Sequence, residues 1–139
     1  MSTLQKKISI SAFSALLFIL VSLPHTYNIT NSLTHLELYD INKACPTNKG
    51  LLLHTFVFFL LTYLSMWNAP QPSALKLKFS IYGTLIFYFI SSPSVYSFVN
   101  SVLGNSFATA AGCPTMKGIF LHALLFCLAL IGVMYLPDL

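Results

Sequence analysis

The chain is expected to be an all-α membrane protein, with four transmembrane helices arranged as a tandem parallel repeat of two-helix units. Three observations carry that expectation. Hydrophobic residues make up 56% of the 139 residues and charged residues only 7%, whereas soluble domains carry about 25% charged residues. Four long apolar stretches punctuate the chain. And the decapeptide "CPTNKGLLLH", which begins at Cys45, returns as "CPTMKGIFLH" from Cys113.

The apolar stretches run from Ile8 to Leu23, Leu51 to Trp67, Phe79 to Ser92 and Ile119 to Leu136. A bilayer needs roughly 20 apolar residues in a helix, so the first and third are short. Both end at a proline, Pro24 and Pro93, and both are followed by helix-compatible sequence. Each is therefore expected to continue as a kinked helix, with neighbours satisfying the freed carbonyls. The first stretch follows Lys6 and Lys7 like a signal peptide. It shows no small-residue cleavage site before Pro24 and has a counterpart in the second half, so a retained span is expected.

Aligning Ala44–Met66 with Gly112–Met134 matches ten of 23 positions at an offset of 68. The matches include an ordered C-P-T-x-K-G-x-x-L-H, which apolar composition alone does not produce. Upstream the offset is 69: Lys7, Ser11, Phe18, Ser22, Pro24, Tyr27 and Asn31 meet Lys76, Ser80, Phe87, Ser91, Pro93, Tyr96 and Asn100. The whole chain thus reads as two copies of one unit. Residues 1–68 form the first, 69–73 a proline-containing connector, and 74–139 the second. Two spans per unit return the chain to its starting side, so the copies run in the same direction about an axis along the membrane normal. The termini side holds Lys6, Lys7, Lys76 and Lys78, against Lys43, Lys49 and Lys117 opposite. That balance favours cytosolic termini.

After each proline comes a polar segment with a helical apolar stripe, clearest at Val95, Phe98, Val99 and Val102. It reads as an interfacial extension of the preceding helix, or as a polar lining built from Tyr27, Asn31, Tyr96 and Asn100. Thr47 and Thr115 are expected helix N-caps, unless Pro46 and Pro114 begin the helices. Gly50 and Gly118 then fall in the first turn, where close approach to a neighbouring helix would explain them. Lys49 and Lys117 sit at the positive end of the helix dipole. Thr47, Lys49, Thr115 and Lys117 therefore make a candidate anion- or lipid-headgroup-binding pair, against plain snorkelling into water.

His54 and His122 lie four residues after those glycines, on the same helix face. An ionisable group inside a span invites a functional reading. They are a candidate intramembrane polar pair: hydrogen-bonded structural residues, a proton or solute path, or ligands for haem. Cys45 and Cys113 occupy equivalent positions. Near the axis they would meet as a disulfide; far from it they remain separate thiols. There is no C-x-x-C, and Cys127 reads as a packing residue. Glu37, Asp40 and Asp138 are the only acids, so no catalytic set, metal site or cofactor is expected. Every cation is lysine, which disfavours nucleic-acid recognition.

The run "CPTNKGLLLHTFVFFLLTYLSM", with its second copy, resembles small multi-pass membrane proteins of large DNA viruses that carry a P-T-x-x-G-x-x-L-H motif entering an aromatic-rich span. The likeness covers about 23 residues of each unit. It implies a virion or host-endomembrane location and transfers no catalytic residue. The expected function is that of a structural or scaffolding membrane protein. The alternative is a channel or carrier along the repeat axis, and a weaker one is a bis-histidine haem protein. Expected partners are membrane lipids, further copies of the chain, or other membrane or capsid proteins.

Overall fold

The computed structural model describes residues 3–35, 37–40, 45–67, 73–104, 106–109 and 112–135. Lys43, residues 69–72 of the connector and Asp138 lie outside them. The order is α1 (Thr3–Ser22), α2 (Pro24–Thr34), β1 (Tyr39–Asp40), β2 (Cys45–Pro46), α3 (Asn48–Ser65), α4 (Ser73–Ser91), α5 (Pro93–Leu103) and α6 (Met116–Met134). The protein is mostly helical. Among the described residues two strands pair antiparallel, Tyr39 opposite Pro46 and Asp40 opposite Cys45.

The long helices α1, α3, α4 and α6 form a bundle. Its most extensive contacts join the halves: α1 packs chiefly on α6, and α4 on α3. Lys7 Nζ stands 3.7 Å over the Tyr135 ring, so the beginning of α1 and the end of α6 meet at one end of the bundle. The disulfide described below marks the other end.

At mid-bundle, Phe18, Phe58, Phe87 and Phe126 are buried together. Phe18 lies 5.3 Å from Phe87 and 5.2 Å from Phe126, and Phe58 lies 4.6 Å from Phe87 and 5.5 Å from Phe126. Each half supplies two rings at matching positions, and together they close the centre. Edge-to-face and offset contacts of this kind add about 0.5–1.5 kcal/mol per pair beyond area burial. The outer faces are just as apolar: Leu16, Leu20, Phe56, Leu85, Phe89, Leu124 and Leu128 are all exposed. So much contiguous apolar surface marks a face that meets lipid or protein.

One expectation is met in part and one needs correction. Four spans were expected. By length and composition one helix, Met116–Met134, is apolar enough to cross a bilayer, or up to three spans if each bent pair counts as one. The shortfall has a physical source. Helix α3 is the shortest of the four, at 18 residues, and opens on Asn48 and Lys49. The bends are also sharper than a kink, 56° between α1 and α2 and 58° between α4 and α5. Second, Gly50 and Gly118 do not admit a neighbouring helix. A Cβ on Gly50 would fall on the carbonyl oxygen of Leu38, and one on Gly118 on that of Phe107. What comes close is the backbone of the segment preceding each CPT motif.

Candidate functional site

His54 and His122, with the tyrosines that cover them, gather at the two bends. Pro24 has no N–H for the carbonyl of Leu20, and the bend separates the carbonyl of Val21 from its next-turn amide. Both acceptors find side chains instead. The Thr26 hydroxyl donates to Leu20 O at 2.5 Å, and His54 Nδ1 lies 2.8 Å from Val21 O. A carbonyl only accepts, so Nδ1 carries the proton and Nε2 of the neutral ring is an acceptor. The Thr30 hydroxyl lies 2.8 Å from it, its one proton shared with the Tyr27 and Thr26 carbonyls at 3.0 and 3.2 Å. Tyr27 covers the imidazole face, with ring centroids 3.7 Å apart and planes 2° from parallel.

The second bend repeats this with two changes, the first being that Val95 stands in the place of Thr26 and the hydroxyl comes instead from Ser92, in the place of Leu23. The Ser92 hydroxyl donates to Phe89 O at 2.8 Å, His122 Nδ1 donates to Ile90 O at 2.9 Å, and Tyr96 stacks on His122 at 3.6 Å. But Val99 occupies the place of Thr30. Nε2 of His122 is buried and has no hydrogen-bond partner among the described residues, as is also true of the Ser22 and Ser91 hydroxyls at the same two bends.

His54 and His122 each lie beyond a CPT cap on the same helix. Thr47 and Thr115 accept from the amides of Gly50 and Gly118, both at 3.1 Å. Their own hydroxyls donate to Glu37 O at 2.8 Å and Ser106 O at 2.7 Å. Asn31 Oδ1 accepts from Leu38 N at 2.8 Å, and Asn100 Oδ1 from Phe107 N and Ala108 N at 3.2 Å. A cap of this type stabilises by about 0.5–2 kcal/mol. Between the two caps, Cys45 and Cys113 form a disulfide with their Cα atoms 5.0 Å apart. It joins the halves across 68 residues of sequence. Cys127 is free and half-buried.

The candidate residues therefore fall into two groups. Cys45 and Cys113 are joined, and His54 and His122 are spent on the same kind of carbonyl bond. Tyr27, Tyr96, Asn31 and Asn100, read as a possible cavity lining, instead cover imidazoles and tie loops. Lys49 and Lys117 are exposed, and each threonine cap takes up one first-turn amide, that of Gly50 or Gly118. Sequence reasoning missed the carbonyls of Val21, Ile90, Leu38 and Phe107. Backbone acceptors leave no mark in a sequence; only the paired prolines hinted at them. Among the described residues no group of three or more metal-ligating side chains forms. No protein-family model, curated protein or solved structure matches the chain.

Proposed function

We propose that the chain is an integral membrane structural protein. In this reading its four long helices cross the bilayer as two parallel two-helix units, with cytosolic termini. The observation that carries the proposal is the centre of the bundle. Four phenylalanine rings fill it, and beyond them the two histidines serve backbone carbonyls rather than an open path. A bundle built this way is a rigid, greasy block with little exposed charge, suited to organising a membrane or neighbouring proteins within it. The Cys45–Cys113 disulfide supports a non-cytosolic location for that end, since disulfides persist in oxidising compartments. The resemblance to viral multi-pass proteins extends the proposal to the internal membrane of a virion.

Reconstitution into sealed liposomes tests it. The expected result is proton and cation flux equal to protein-free vesicles. Flux that disappears in His54→Ala and His122→Ala would replace the structural reading with a channel. An absorption spectrum of the purified protein tests the haem reading alongside; no Soret band is expected.

A further inference from the structure

Helices α2 and α5 each keep an open apolar row. Tyr27 and Tyr96 are buried against the imidazoles. A residue two places further on stands about 200° round the helix. Ile29 and Phe98 occupy those places, and Leu33 and Val102 continue each row one turn later. Ile29 and Leu33 are 60% and 77% exposed, Phe98 and Val102 68% and 63%. Beside each row runs an exposed polar one, Asn28 and Ser32 in α2, Ser97 and Ser101 in α5. The two halves match at every one of these positions, so the open rows belong to the repeated unit.

Their level in the bundle says what covers them. The helices begin at the histidines, which stand six residues after the first residues of α3 and α6, Asn48 and Met116. Six residues of helix measure about 9 Å. Exposed Lys49 and Lys117 put the starts of α3 and α6 at the headgroups. An interfacial helix holds its apolar face about 5–10 Å inside that boundary. The bends of 56° and 58° turn α2 and α5 away from the span axes, as a helix at that level requires. The rows also follow the exposed Leu16 and Leu20 of α1, and Leu85 and Phe89 of α4. No charged residue interrupts the chain from Leu16 to Leu33 or from Leu85 to Val102.

The composition restricts the partner further. Neither helix carries an aspartate, glutamate, lysine or arginine. Attraction to charged headgroups is therefore missing, and apolar area alone holds such a helix in a bilayer. It enters where the headgroups leave acyl chains uncovered.

Resting on the membrane reading above, we infer that α2 and α5 are a pair of lipid-packing-sensitive helices, whose apolar rows insert among loosely packed acyl chains of the non-cytosolic leaflet. Headgroup charge contributes nothing to the insertion. The polar rows face water, and the tyrosine faces stay on the histidines.

Amide hydrogen exchange of the full chain in sealed vesicles tests this. The vesicles are dioleoyl phosphatidylcholine alone, the same lipid with dioleoylglycerol to loosen headgroup packing, and the same lipid with dioleoyl phosphatidylserine to add charge. The acyl chains are identical throughout. Dioleoylglycerol should slow exchange in α2 and α5 about three- to tenfold, the factor that half-burial of one large apolar side chain supports. Phosphatidylserine should leave it unchanged. Leu33→Ser with Val102→Ser should abolish the response, and Leu33→Met with Val102→Ile should keep it. If the serine pair does not fold, the wild-type comparison decides alone. Exchange indifferent to dioleoylglycerol, as a second copy seated on the rows would give, overturns the inference and leaves the membrane reading standing. So does slowing by phosphatidylserine, or a response kept by the serine pair. Release of the protein from the vesicles by carbonate overturns both.

Discussion

Thr30 and Val99 hold the same place in the two halves, 69 residues apart, and only Thr30 reaches an imidazole. His54 consequently has both ring nitrogens bonded, while His122 keeps Nε2 buried and alone. Valine and threonine differ here by a methyl and a hydroxyl of similar size. Val99→Thr should supply the missing donor and stabilise the protein by about 0.5–1.5 kcal/mol. Thr30→Val should cost about 1–3 kcal/mol by leaving a second buried acceptor unpaired. Thermal unfolding in detergent reads both, and a destabilising Val99→Thr would show that the second bend does not match the first.

The glycines of the CPT motifs tolerate no side chain. Gly50→Ala and Gly118→Ala should each destabilise by at least about 1–3 kcal/mol, the usual range for overpacking. The obstacle is backbone, the carbonyls of Leu38 and Phe107, which no rotamer change removes. Unchanged melting of either alanine variant would mean that the segment above the helix start lies elsewhere.

Phe58→Ala and Phe126→Ala remove matching rings from the closed centre. Each is expected to cost about 3–5 kcal/mol, the sum of lost burial and residual cavity. Liposome flux should rise in neither variant if the rings are packing and not a gate. Flux appearing in both would make the phenylalanine layer a barrier across a latent path.

The disulfide closes a long loop, so its loss should be felt. In the chain-entropy picture a loop across 68 residues corresponds to about 4 kcal/mol. Cys45→Ser should lower the melting temperature, and Cys113→Ser by a similar amount. Thiol counting on denatured protein should find one reactive group, Cys127, before reduction and three afterwards. Three before reduction would rule the bond out.

Much of this arrangement was legible in particular residues. The CPT repeat located both helix starts and their threonine caps, because capping depends on side-chain type at one position. Pro24 and Pro93 announced the breaks. Whether Cys45 and Cys113 meet was not legible, since it depends on how far both caps lie from the centre of the bundle. Nor was the histidine role, because its partners are carbonyls of Val21 and Ile90, and any residue carries a carbonyl.

The exchange of partners between halves sets the order in which the molecule can be made. Helix α1 packs chiefly on α6, so α1 leaves the ribosome well before its main neighbour. Until residue 134 has emerged, α1 lacks its main neighbour, and the only extensive pairing available is that of α3 with α4 across the connector. Contacts this distant in sequence slow folding, because loop closure precedes their reward. A nascent chain stalled before α6 would hold the apolar face of α1 open. Cys113 would also lack the cap that sets it opposite Cys45, so oxidation of the pair becomes a late event that reports the arrival of α6.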